Sequence, residues 1–315
     1  MLLRPILFRC LVVFCALFEG PRVAATAVWI DSDPAIGSPI RDVDDGFALM
    51  LAFHSPELRI VGISTSYGNG SLATSTRVAK EMTQKFGRSV VRPAHVHSGA
   101  RSARDLGRET TATTALVRAI RNERDLTYIA LGPLTNLATL ELRHSKMARQ
   151  INRIVVIGGK SPEASPGFGP TRSFRIHDAN IHKDPEAAAV LLRSSAPLLL
   201  IPVETSGNFV LGPRQMRALA RGGPRGDFLF RRSRIWFWFW TGLIRNEGAP
   251  LFDPLAVVAA ARPQLLRMEE RFAVVNERRE LIAHKFPIRG SRPVRFCTAF
   301  EPRAKALVLE RLGTR

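Results

Sequence analysis

Residues 31–49 read DSDPAIGSPIRDVDDGFAL, and five of them are aspartates, in a chain whose formal net charge is +19. Carboxylates crowded in this way repel and raise one another's pKa. The crowding is tolerable if a cation sits among them, if they spread into solvent, or if they take part in chemistry. Asp31, Asp33, Asp44 and Asp45 can converge at one strand end, with Asp44 and Asp45 opening an apolar helical pattern. A helix N-terminus favours negative charge by only about 0.3–1 kcal/mol per group. That is too little to gather three or four carboxylates, whereas a hard divalent cation can do it. Oxygen-only donors favour Ca²⁺ or Mg²⁺ over zinc, and no Cys/His cluster has zinc spacing. The plain alternative is an acidic surface loop with a helix cap.

The elements that must position these groups alternate along the chain. Short apolar runs at 28–30, 58–69, 126–132, 152–159 and 196–204 read as strands. Helical patterns fall at 46–54, 71–87, 133–150 and 184–194. Near-continuous apolar strands between helices predict an α/β fold: a mostly parallel sheet with helices on both faces and a Rossmann-like core. Irregular insertions are expected at 94–110, 160–178 and 222–250. Ligands of open parallel sheets bind beyond the carboxyl ends of the strands, where Asp33, Asn69, Leu131 and Gly159 fall.

The N-terminus starts MLLRPILFR, continues CLVVFCALF and reaches Ala25-Thr26-Ala27. A basic start, an apolar stretch and a small-residue site match a secretory leader. The expectation is a signal peptide over 1–27 and a single domain over 28–315, periplasmic or secreted, or cytoplasmic if the segment is not a leader. The apolar run is too short to span a bilayer, so no membrane contact is expected of the mature form. Cys10 and Cys15 would leave with the leader, and Cys297 alone cannot form an intramolecular disulfide.

Six segments in order carry a family resemblance. Asp31-x-Asp33-Pro34 followed by Asp44-Asp45 resembles the N-terminal signature of the inosine–uridine-preferring nucleoside hydrolases. Ala35 replaces their glycine, and an insertion precedes the Asp pair. GISTSYGN (62–69), ALGPLTNLA (130–138), VVIGG (155–159), DANIHKDPEAA (178–188) and FDPLAVV (252–258) are similar to the family's later segments. VRFCTAFEPRAKALVLERL (294–312) looks like its closing strand and helix. An Asp-x-Asp also opens haloacid-dehalogenase-type phosphatases, but the residues after Asp33 do not follow that pattern.

The resemblance implies Ca²⁺-dependent hydrolysis of the N-glycosidic bond of ribonucleosides, releasing free base and ribose. It places Ca²⁺ on Asp33, Asp45, Asp253 and the Leu131 carbonyl, with Asp33 as general base. It assigns the sugar hydroxyls to Asp44, Asn69, Asn180 and Asp178, the last standing where the family has the longer Glu. Cleavage through an oxocarbenium-like sugar suits carboxylates and an activated water. Judged alone, Asp253 before Pro254 reads equally as a helix N-cap, Asn69 as a loop cap and Asn180 as a polar turn. Phe252 stands where some members have a proton-donating His. Phe252 and Trp236 are then the aromatic candidates for stacking on the base. Trp236, Trp238 and Trp240 cannot all share one helix face, and core or oligomer contact is the plainer reading of them. His177 and His182 are alternative proton donors.

A rival reading is a nucleoside- or sugar-binding protein on the same fold with little turnover. The positive charge suggests a polyanion partner, but the arginines are scattered and no nucleic-acid module is recognisable. A small nucleoside is the expected partner, without specific nucleic acid; a homo-oligomer is compatible.

Overall fold

The computed structural model describes residues 25–39, 41–87 and 94–313. The leader expected over 1–27 lies almost wholly outside them. Its last two residues, Thr26 and Ala27, already belong to the first strand.

The main sheet is built from β1 (Thr26–Ser32), β2 (Leu58–Thr65), β3 (Val96–Ser98), β4 (Thr127–Ala130), β5 (Arg153–Ile157), β6 (Leu198–Ile201), β7 (Leu266–Val275), β8 (Leu281–His284) and β9 (Arg292–Phe300). Their order across the sheet is β3-β2-β1-β4-β5-β6-β9-β7-β8. The strands from β3 to β9 pair in parallel, and β7 pairs antiparallel with both β9 and β8. The order reverses between β1 and β4. That is the switch point at which open parallel sheets form their crevice.

The central strands are largely apolar because both faces are covered. Val28 and Ile30 of β1 point into one core with Ile129, Val155 and Leu199. Ala27 and Trp29 point into the other with Tyr128, Ile154 and Leu200. The first core is closed by α1 (Asp44–Phe53), α2 (Leu72–Phe86), α9 (Pro254–Ala261) and α10 (Pro302–Leu312); the second by α3 (Thr111–Asn122), α4 (Thr135–Arg143) and α6 (Pro185–Leu191). Further helices are α5 (Ala179–Lys183), α7 (Pro213–Ala220) and α8 (Gly223–Trp238), with single turns at Ser145–Ala148 and Val203–Ser206.

Every residue of α1 is buried, its two leading aspartates included. An amphipathic surface helix would expose one face; α1 is instead enclosed, and packs against the equally apolar α9.

Three sequence expectations change. The helix expected over 133–150 breaks at His144, whose imidazole bonds Glu109 and which leaves helical backbone geometry. The insertion at 222–250 is mostly helical: Pro224 sits in the first turn of α8, where its missing N–H costs nothing. The insertion at 160–178 holds a small hairpin, Gly167–Phe168 with Phe174–Arg175. The antiparallel edge formed by β7 and β8 was not legible, because its residues alternate with exposed charges such as Arg267, Glu269 and Glu270.

Asp31 turns away from the crevice. Its Oδ1 accepts from Ser64 Oγ at 2.6 Å and Asn136 Nδ2 at 2.9 Å, and Asn136 Oδ1 accepts the Ala100 N–H at 2.8 Å. Burial raises the Asp31 pKa, and these donors together with Tyr128 pull it back. Asn136→Ala would remove one of the two donors to the buried Asp31 Oδ1 and strand the buried Ala100 N–H. It is expected to cost about 1–3 kcal/mol, read as a lower urea midpoint with unchanged slope.

Candidate active site

Three loops after strand ends and two helix starts meet at the switch point. Asp33 follows β1, Asn69 lies in the loop after β2, and Leu131 follows β4. Asp44 and Asp45 form the first turn of α1, and Asp253 immediately precedes α9. The carboxylate oxygens of Asp44, Asp45 and Asp253 lie within 4.8 Å of one another. Asp253 makes no side-chain cap to its helix, so the N-cap reading does not account for it.

Asp45 is held rigidly. Its Oδ1 accepts from Ser32 Oγ at 2.5 Å and from the Asp33 N–H at 3.0 Å; its Oδ2 accepts from Asn69 Nδ2 at 2.9 Å. Asp33 is fully buried. Its Oδ2 accepts the Asn69 N–H and lies 3.8 Å from Lys183 Nζ, while its Oδ1 is buried without a partner. Gly68 and Gly132 leave room for it: a Cβ on either would come within 1.8 or 2.5 Å of an Asp33 oxygen. Asn180 Nδ2 donates to the Leu131 carbonyl at 2.7 Å and the Ile157 carbonyl at 3.2 Å. Asp178 folds back on the backbone, accepting from Gly159 N at 2.6 Å and Ile181 N at 3.2 Å as the cap of α5.

A cavity of about 220 Å³ opens onto this group. Asp42, Asp44, Asp45 and Asp253 line its acidic side, with Asn69, Asp178, Asn180 and Leu131; Trp240, Phe252, Ile176 and His177 also line it. Asp33 lies outside the lining, behind Gly68 and Gly132. Trp236 is not in it either. That ring packs on Phe47 in the core, centroids 6.4 Å apart, and Trp240, four residues on, takes the cavity position. Phe168 braces both cavity aromatics edge-on, 5.0 Å from Trp240 and 6.4 Å from Phe252. His182 stacks on His177 at 5.7 Å and does not line the cavity.

The electrostatics follow from this burial. Desolvation, then the charge of Asp45, pushes Asp33 well above the usual carboxylate range. Desolvation does the same to Asp44, aided by Asp42 and Asp45, and to Asp253, aided by Asp44 and Asp45. Asp45 rises only to about 6, because Ser32 and the Asp33 N–H hold its charged form. Asp178 is also pushed by burial to about 6. Lys183 relieves Asp33, Asp42, Asp45 and Asp178, and one ammonium cannot balance the set. A buried oxygen-only donor set with an unpartnered Asp33 oxygen beside it fits a hard divalent cation.

The sequence profile of the inosine-uridine preferring nucleoside hydrolases matches residues 28–285. The chain belongs to that family. It is therefore an N-glycosyl hydrolase acting on nucleosides. A non-specific ribonucleoside hydrolase RihC of Salmonella enteritidis is 29% identical over 286 residues, 82% of this chain and 86% of the relative. A probable uridine nucleosidase 2 of Oryza sativa subsp. japonica is 27% identical over 274 residues, 78% and 77% of the two chains. Among solved structures, a plant nucleoside hydrolase (PpNRh1) superposes with a TM-score of 0.79 at 24% identity, covering 92% of this chain and 99% of its own. A purine-preferring ribonucleoside hydrolase from Gardnerella vaginalis gives 0.74 at 22%, covering 91% and 98%.

Two residues of this nucleoside hydrolase escaped the sequence reading. Asp42 lines the cavity from the insertion ahead of α1; its signal was a third aspartate two positions before the Asp pair. Lys183 reaches Asp33 from α5. Its signal was the i, i+3 spacing from Asn180, which puts both on one helix face.

Asp45 and Asp178 carry raised pKa values in the folded state, about 6 against 3.8. The folded protein thus holds protons that the unfolded chain releases. The stability they add is full below about pH 4 and lost as pH rises through 6. In chelator, the melting temperature is expected to fall between pH 5 and 7.5. Millimolar Ca²⁺ should restore it at pH 7.5 and do much less at pH 5, where protons compete for the same oxygens. A calcium-independent melting temperature at pH 7.5 would contradict the fit.

Proposed function

We propose that this nucleoside hydrolase cleaves ribonucleosides to free base and ribose with Ca²⁺ as its cofactor, an activity suited to nucleobase salvage. The observation that carries the reading is the buried convergence of Asp44, Asp45 and Asp253 in one cavity with Trp240 and Phe252.

Asp45, Asp253, Asp33 and the Leu131 carbonyl would hold the ion, with Asp44 close enough to join them. The Leu131 oxygen already accepts from Asn180, and a carbonyl has a second lone pair to offer. When bound, the cation neutralises the carboxylates, lowers the pKa of water and anchors sugar hydroxyls.

The chain's own groups supply the rest. Asp33 is the proposed general base. Burial and the charge of Asp45 raise its proton affinity, the direction that favours a carboxylate as proton acceptor. The Asn69 N–H fixes one of its oxygens and leaves the other free. Asp44 lines the cavity as an acceptor for a ribose hydroxyl. Asn69 and Asn180 are committed to Asp45 and to the Leu131 carbonyl, so their first effect on the sugar is to orient those groups. Asp178 likewise spends both oxygens on backbone N–H groups. The acidic side favours the positive charge that develops on the sugar. Trp240 and Phe252 offer faces for the departing base. Phe252 cannot protonate it, and His177 is the imidazole that lines the cavity.

Purified protein incubated with inosine, uridine, guanosine or cytidine should release reducing sugar, and chelator should abolish it. Asp33→Asn should lower kcat by roughly 10²–10⁴-fold, the usual weight of a general base, without lowering the melting temperature. Trp240→Ala should raise KM, while Trp236→Ala should lower stability first, because its ring fills core against Phe47. Tight nucleoside binding with no turnover would instead support a binding protein on this fold.

A further inference from the structure

The positive charge is unevenly placed. Between residues 213 and 245 stand eight arginines and one acidic residue, Asp227. This segment is the α7–α8 hairpin and the π-helical turn Phe239–Leu243 that extends α8. Arg231 pairs with Asp227 and Arg232 with Glu81. Arg214, Arg217, Arg221, Arg234 and Arg245 are exposed, and none has a carboxylate partner among the described residues.

The same hairpin exposes large apolar side chains. Ile235 is 59% exposed, Trp238 62% and Leu243 61%. Arg231, Arg234, Ile235 and Trp238 follow i, i+3, i+4, i+7 spacing, so they share one face of α8. The opposite face is core, with Leu229, Ser233 and Trp236 buried. A basic helix with a tryptophan and aliphatic side chains on its outer face has the composition of an interfacial helix.

We propose that the outer face of α8, with the arginines of the α7–α8 hairpin, docks on an anionic lipid bilayer. Three occupants compete for such a surface. A second copy of this chain brings the same excess of positive charge to the contact and is repelled. A single-stranded nucleic acid satisfies the arginines and stacks on Trp238, but it gives Ile235 and Leu243 nothing to enter. A bilayer with anionic headgroups satisfies both, headgroups pairing with arginine and the apolar side chains entering the acyl boundary. No helix among the described residues is long and apolar enough to cross a membrane, and a helix lying in the interface needs no such length. The expectation of no membrane contact rested on spanning length alone. The proposal is independent of the catalytic reading, since none of these side chains lines the cavity.

The test uses the full chain and vesicles of phosphatidylglycerol and phosphatidylcholine in equal parts, beside vesicles of phosphatidylcholine alone. Trp29, Trp236 and Trp240 are buried, which leaves Trp238 as the exposed tryptophan. The anionic vesicles should sediment the protein, shift its tryptophan emission to the blue and, when their acyl chains are brominated, quench it. Neutral vesicles should do none of these, and high salt should release the protein. Trp238→Ala should abolish the spectral response with the melting temperature and hydrolysis unchanged. Arg214→Gln with Arg234→Gln should weaken partitioning roughly 30-fold, two cations' worth at such a surface. Equal binding to neutral vesicles, no binding, or binding that leaves Trp238 unquenched would overturn the proposal. So would single-stranded RNA displacing the vesicles at the same site, or a dimer that Trp238→Ala dissolves.

Discussion

The structure turns on placing several carboxylates where water cannot reach them. Asp33, Asp45 and Asp253 are essentially inaccessible, and Asp44 nearly so. Their charges raise one another's proton affinity on top of the desolvation. A buried charge is sustainable only when paired or bound to a metal. The chain provides partial relief at three points: the first turn of α1 for Asp44 and Asp45, N–H and O–H donors for Asp45 and Asp33, and Lys183 at 3.8 Å from Asp33. Each is too weak alone, and together they still leave negative charge and an unpartnered oxygen. This imbalance links the fold to the chemistry. It requires α1 to be enclosed on all sides and α9 to deliver Asp253 to the same point.

Much of this was legible because it depends on local rules. Continuous apolar strands between helices imply a doubly covered sheet, and a doubly covered parallel sheet places its ligands at the strand ends. The Asp pair at a helix start follows from a local rule in the same way. Gly68 and Gly132 are small because Asp33 occupies the space a Cβ would need. What was not legible depends on side-chain direction. Asp31 and Asp33 are two apart, with Asp31 the penultimate residue of β1 and Asp33 just beyond its end. Asp31 serves the opposite core through Ser64 and Asn136, and only Asp33 joins the site. Asn69 and Asn180 read as hydroxyl ligands, yet each is engaged with a neighbour in the site. No spacing rule distinguishes a direct contact from a supporting one.

The aromatic run RIWFWFW shows the same limit and its resolution. Three tryptophans at alternate positions cannot share a helix face, and here they occupy three environments. Trp236 fills core against Phe47, Trp238 faces out, and Trp240 reaches the cavity braced by Phe168 and Phe174. The π-helical turn that begins at Phe239 holds Trp240, just past the regular turns of α8. π-turns often mark functional positions in helices. The segment that places Trp240 in the cavity is thus continuous with the helix that carries the exposed arginines. The buried face of α8 packs, through Trp236 and Phe47, on α1. Phe47 lies one turn beyond Asp44 on that helix. Two aromatic rings in contact therefore separate the exposed outer face of α8 from the helix whose first turn carries the buried Asp44 and Asp45.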